Sequence, residues 1–104
     1  MSARVLIVDD EKRLAYFLGQ TLQLDFPECQ VDMAYSGEEA LSSLASNAYD
    51  LIIADVRMPG VSGMELIKGV RYLDADVPII LMTGYGSASL RREAATLGVN
   101  HYVD

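Results

Sequence analysis

The chain has 104 residues, 51% of them apolar, with no Trp and a formal net charge of −7. That length holds a single domain, residues 1–104, with a real core and little to spare. The acidic balance excludes nucleic-acid binding by this domain alone, since phosphate contacts need clustered Lys and Arg.

One cysteine, Cys29, excludes an internal disulfide, fits a reducing compartment and reads as a small, partly buried core residue. The first apolar run, Val5-Leu-Ile-Val8, is far too short for a signal or membrane helix, and it runs straight into Asp9-Asp10-Glu11. The expected location is therefore cytoplasmic, with no membrane partner.

Residues 4–8 have the continuous apolar pattern of a strand buried on both faces. Leu14, Phe17, Leu18 and Leu22 then recur at helical spacing, which predicts an amphipathic helix over 12–25 with Gly19 as its one weak point. Residues 30–34 read as a shorter strand. Ser36-Gly-Glu-Glu39 is a capping box, and the helix it opens carries Ala40, Leu41, Leu44 and Ala45 on one face.

The central stretch is Asp50-Leu-Ile-Ile-Ala-Asp55-Val-Arg-Met-Pro-Gly60. It is a buried strand that ends in a carboxylate, and Pro59-Gly60 turn chemistry forbids its continuation. Ser62-Gly-Met-Glu65 is a second capping box, followed by Leu66, Ile67, Val70 and Leu73 at helical spacing. Residues 78–82 form a fourth apolar strand ending in Thr83-Gly84. Residues 87–97 predict a weakly amphipathic helix through Leu90, Ala94 and Leu97, stopped by Gly98. Residues 99–103 form a fifth strand.

Strict β-α alternation implies a parallel sheet with right-handed crossovers and helices on both faces. In such a sheet Asp9, Asp10, Asp55 and Thr83 converge on one edge, where open α/β sheets place their chemistry. At ~5 Å and an effective dielectric near 20, each carboxylate pair costs roughly 3 kcal/mol. A hard divalent ion, Mg²⁺, answers that repulsion with an all-oxygen ligand set. Asp55 is then the candidate nucleophile toward phosphorus and Asp10 the candidate metal ligand. Asp9 acts through water, and Thr83 donates to a phosphoryl oxygen.

The chain resembles the receiver domain of bacterial two-component response regulators. The residues carrying the resemblance are Val5-Leu-Ile-Val-Asp9-Asp10-Glu11, the Asp50–Gly60 stretch with Ser62-Gly63, Ile79-Ile-Leu-Met-Thr83-Gly84, and Leu97-Gly98 with Tyr102. The resemblance implies a flavodoxin-like, doubly wound five-stranded sheet of order 2-1-3-4-5. It implies phosphoryl transfer onto Asp55 from the phosphohistidine of a sensor histidine kinase, by an acceptor that is not a turnover enzyme. It implies Mg²⁺ held by Asp10, Asp55 and the main-chain carbonyl of Arg57. Thr83 and Tyr102 act as the switch pair, and an output domain or partner protein outside this chain receives the signal. The kinase is expected to dock on the first helix around Leu14, Ala15 and Leu18. Arg57 and Tyr85, two residues beyond Asp55 and Thr83, are expected to lean over the phosphoryl group and slow its hydrolysis.

One departure stands out. The family's Lys after the fifth strand would be the residue after Asp104, and no fifth helix follows, so the sequence reads as a receiver cut short. Lys12 and Lys68, its only lysines, fall on helices outside the strand-end site, and His101 reads as structural. A sheet face left bare by the missing helix, with the 99–103 strand as an open edge, predicts self-association or marginal stability.

Three rival readings bear on the same residues. A haloacid-dehalogenase-type phosphatase needs a second acid where Arg57 stands. A flavin or dinucleotide domain needs a glycine loop where Asp9-Asp10-Glu11 stands. A receiver-like docking module that is never phosphorylated is the alternative that survives.

Overall fold

The computed structural model describes residues 3–55, 63–82 and 88–103. Nine elements alternate: β1 (Arg4–Val8), α1 (Lys12–Asp25), β2 (Gln30–Ala34), α2 (Gly37–Ser46), β3 (Leu51–Asp55), α3 (Gly63–Leu73), β4 (Ile79–Met82), α4 (Ala88–Thr96) and β5 (His101–Val103). The strands form one sheet in the order β2-β1-β3-β4-β5, every pairing parallel. The expected fold class and strand order are both present. Among the described residues β5 is the last element, and no fifth helix follows it.

Side-chain alternation along the strands sorts the core into two halves. Leu6, Val8, Ile52, Ala54, Ile79 and Leu81 face Ala40 and Leu44 of α2, Leu66, Ile67 and Val70 of α3, and Ala94 of α4, and all are buried. Val5, Ile7 and Ile53 face the opposite way, toward Ala15 of α1. On that second face Leu51, Ile80 and Met82 are only half-buried. The expected bare face is therefore partly covered: Ile53 is buried while its neighbours keep residual exposure.

Helix α1 departs from its expected packing. Leu18 and Leu22 do pack inward, but Leu14 and Phe17 are exposed, Phe17 at 66%. The buried positions are Ala15 and Gly19. The cause is close approach to β2, because a Cβ on Gly19 would come within 2.5 Å of Met33 Cε and 3.4 Å of Val31 Cγ1. Small residues therefore take the contact line, and the large apolar ones fall beside it. Gly19, read as a weak point, lies on that contact line, where a side chain would have to displace the Met33 methyl.

Similar corrections apply elsewhere. Ala45 and Leu73 lie on the exposed sides of α2 and α3. Strand β4 begins at Ile79 rather than Pro78, since Pro has no N–H for the ladder. Strand β5 begins at His101 rather than Val99, because Val99 N–H still donates to Ala94 O in the helix-ending turn. Helix α4 spans Ala88–Thr96, one residue shorter at each end than its periodicity suggested. Ser36 caps α2 as expected, accepting from Glu39 N–H at 3.1 Å. Ser62 lies outside the described residues.

The N-terminal edge of the sheet is closed by polar pairing that the sequence reading did not single out. Asp32 Oδ2 accepts from Arg4 Nε at 3.0 Å, Arg4 Nη2 at 2.8 Å and the Tyr49 hydroxyl at 2.6 Å. Since the one Tyr49 proton goes to Asp32, Ser43 donates in its 2.6 Å bond to the Tyr49 oxygen. Burial, with the bond to Asp32 adding to it, raises the Tyr49 pKa. Asp50 Oδ2 accepts from Arg4 N–H at 2.8 Å. No helix among the described residues is long and apolar enough to cross a membrane.

Candidate functional site

At the opposite edge the register sets the site. Val8 pairs with Ala54, so the next residues, Asp9 and Asp55, leave adjacent strands side by side. Asp9 N–H donates to Ala34 O at 3.0 Å, which carries the β1–β2 ladder one residue past the strand and holds the Asp9 backbone. Asp9 Oδ1 accepts from Glu11 N–H at 2.9 Å, an Asx-type turn that leads the chain into α1. The other oxygen, Asp9 Oδ2, is buried with no hydrogen-bond partner.

Asp9 and Asp55 are both buried, whereas Asp10 is exposed. One carboxylate oxygen from each of the three lies within 4.8 Å of the others. The electrostatics follow from the geometry. Burial raises the Asp9 pKa most; Asp55, Asp10 and Glu11 raise it further, and the Glu11 N–H bond opposes them. An orphaned buried carboxylate oxygen on a residue clustered with two more carboxylates fits the donor set of a hard divalent cation. The residues present fit such an ion, with an exposed side at Asp10 where a substrate oxygen could enter.

The sequence-derived trio of Asp9, Asp10 and Asp55 is thus brought together. Arg57, Thr83 and Tyr85 lie outside the described residues. Tyr102 is in β5, in register with Leu81. Lys12 is placed with its ammonium 5.1 Å from the centre of the Tyr35 ring, and Lys68 pairs with Glu93 at 3.6 Å. A separate cavity of about 570 Å³, lined by Val5, Leu22, Phe26, Cys29 and Leu51 among others, lies at the far edge of the sheet from the acids.

A doubly wound parallel sheet with an acidic trio at the carboxyl ends of its strands has its site where open α/β sheets bind ligands. Residues 5–104 match the response regulator receiver domain, and the chain belongs to that family, the receivers of two-component systems. It is 39% identical over 104 residues to the response regulator protein FleR of Pseudomonas aeruginosa, covering 99% of this chain and 21% of that one. It is 34% identical over 99 residues to the transcriptional regulatory protein YkoG of Bacillus subtilis, covering 95% of this chain and 42% of that one. The chain thus spans less than half the length of these curated relatives.

Among solved structures, the chemotaxis protein CheY4 of Vibrio cholerae superposes with a TM-score of 0.90 at 31% identity, covering 99% of this chain and 86% of that one. The response regulator TrrA of Thermotoga maritima, solved in complex with Mg²⁺-BeF, superposes at 0.83 with 38% identity, covering 97% and 84%. Mg²⁺ and phosphorylation are typical of the family.

Proposed function

We propose that this domain accepts a phosphoryl group on Asp55 from the phosphohistidine of a sensor histidine kinase, in a Mg²⁺-dependent reaction. The observation that carries this reading is the orphaned Asp9 oxygen within a cluster of three carboxylates, two of them buried. An Asp55 carboxylate oxygen attacks phosphorus, the P–N bond to the imidazole breaks, and the imidazole leaves with the electron pair. The product is a mixed anhydride on Asp55.

Asp10, Asp55 and the Arg57 carbonyl would hold the ion, with Asp9 behind a water, and the ion would offset charge on the phosphoryl oxygens. The bond from Glu11 N–H fixes one Asp9 oxygen and leaves the other, buried, without a partner in the chain. Thr83 donates to a phosphoryl oxygen, and Tyr102 carries the change to the face formed by α4 and β5. Arg57 and Tyr85 tune the lifetime of the anhydride. The domain is an acceptor rather than a turnover enzyme, and its output is transcription regulation through a domain or partner outside these residues. The free thiol of Cys29 supports a cytoplasmic setting.

Acetyl phosphate with Mg²⁺, followed by intact mass, tests the reading. The wild type gains one phosphoryl group, and Asp55→Asn gains none. Equal incorporation in both would overturn the acceptor assignment. No incorporation in the wild type would leave the receiver-like docking module as the reading.

A further inference from the structure

Helix α1 breaks a rule at its first turn that α2 keeps. Both helices begin at the acid edge, and a helix N-terminus favours negative charge. Helix α2 opens with Glu38 and Glu39, whereas α1 opens with Lys12 and Arg13 and has no acid in its first turn. Cations at that end weaken the helix, and such local conflicts concentrate at functional sites.

The row of residues beside Lys12 gives the conflict a place. Val8 pairs with Ala54 on one side and Ala34 on the other, and Asp9 N–H carries the second ladder on to Ala34 O. The next residues, Asp55, Asp9 and Tyr35, therefore stand in one row across three strands spaced roughly 4.8 Å apart. Alternation from Ile53, Ile7 and Met33 puts all three on the face that α1 covers. Lys12 heads the line of α1 that meets this face: Ala15 and Gly19 follow it at helical spacing and are buried, and Leu22 packs inward. The Lys12 ammonium does not turn back to the acids beside it. No ion pair among the described residues joins it to Asp9, Asp10 or Glu11. It lies over the half-buried Tyr35 ring, 5.1 Å from the centre. A cation held on a ring face keeps its charge and its hydrogen-bond donors. One exposed positive charge thus stands at the end of a row whose middle member, Asp9, is fully buried with an unpartnered oxygen.

We propose that Lys12, held on Tyr35, is a specificity residue for the phosphodonor: its ammonium draws dianionic donors to the acid edge and pairs with a donor oxygen while Asp55 attacks. The inference rests on the acceptor reading above and names the donor charge that the site selects. Three carboxylates repel an anionic donor, and a bound divalent ion offsets only two of their three charges. Lys12 supplies the remaining positive charge, and Tyr35 is the positioning residue that keeps it at the rim.

Two small donors, offered to the whole chain at saturating Mg²⁺ and followed by intact mass, test this. Acetyl phosphate is a dianion near neutral pH; its P–O bond to the acetyl group breaks and acetate leaves with the electron pair. Phosphoramidate carries less net charge because its nitrogen is protonated; its P–N bond breaks and ammonia leaves with the electron pair. Lys12→Gln should lower the acetyl phosphate rate about fivefold, lower the phosphoramidate rate less than about twofold, and flatten the fall of the acetyl phosphate rate with NaCl. Lys12→Arg should restore the wild-type ratio of the two rates, and Tyr35→Leu should give a partial loss of that ratio. Equal slowing of both donors in Lys12→Gln overturns the proposal, since a merely structural role would do the same. So does an unchanged ratio, or one that Lys12→Arg fails to restore, and a wild-type ratio in Tyr35→Leu removes the ring from it. A wild type that gains nothing from either donor sinks both this inference and the acceptor reading. Phosphorylation that Asp55→Asn abolishes, with the donor ratio unmoved in Lys12→Gln, sinks the Lys12 assignment alone.

Discussion

The two edges of the sheet handle their acids in opposite ways. At the N-terminal edge Asp32 receives three hydrogen bonds from Arg4 and Tyr49, and Asp50 receives the Arg4 N–H. At the C-terminal edge three carboxylates converge, and one buried oxygen has no partner. A charge that is paired serves stability, whereas a cluster left in mutual repulsion costs stability and is answered by a ligand. The difference teaches where to look: the site is at the edge where a buried Asp9 oxygen is not satisfied by the chain itself.

The largest effect that would sharpen this contrast is metal linkage. Mg²⁺ at a hundred times its dissociation constant should raise the unfolding free energy by about 3 kcal/mol. Thermal melts with Mg²⁺ against matched NaCl should show the shift in the wild type and in Asp32→Ala, and most of it should vanish in Asp10→Ala. A full shift in Asp10→Ala would place the ion elsewhere. Next, Asp32→Ala should destabilise the fold by about 2 kcal/mol in urea titration, since Arg4 and Tyr49 lose their acceptor while partial exposure softens the loss. An unchanged midpoint would mean that the N-terminal edge does not depend on this pairing.

Asp9→Asn should have the opposite sign in the absence of divalent ions. Removing one charge from the trio should stabilise the fold by about 1 kcal/mol. A destabilised Asp9→Asn protein would show that the orphaned oxygen carries no repulsive cost. The smallest effect is the pH dependence of the same group. The folded Asp9 pKa is raised, chiefly by burial, so the folded state binds this proton more tightly than the unfolded chain. Asp9 therefore favours folding below an ordinary aspartate pKa of about 4, and that contribution is lost as pH rises through its folded pKa. Stability without Mg²⁺ should fall across that window by an amount that Asp9→Asn removes. Identical pH profiles for the two proteins would assign the slope to other carboxylates.

Much of this molecule was legible in its residues. Apolar runs ending in acids identified β1 and β3, helical spacing and Ser36 located α1 and α2, and strict alternation implied the parallel sheet. Together these were enough to predict that Asp9, Asp10 and Asp55 would meet. Periodicity misjudged the inward face of α1, because Leu14 and Phe17 look like core until β2 approaches so closely that only Ala15 and Gly19 fit the contact line. The Asx turn at Asp9 could have been read from an Asp three residues before a helix start.

The tight network of Arg4, Asp32, Tyr49 and Ser43 carries no local signature. Its bonded partners lie up to 28 residues apart on different elements. Sequence determined which residues were apolar, where the chain turned and which strand ends were acidic, because those are properties of neighbours along the chain. Only the tertiary structure decided which carboxylates would be paired and which left orphaned, because hydrogen-bond satisfaction depends on distances that folding alone creates.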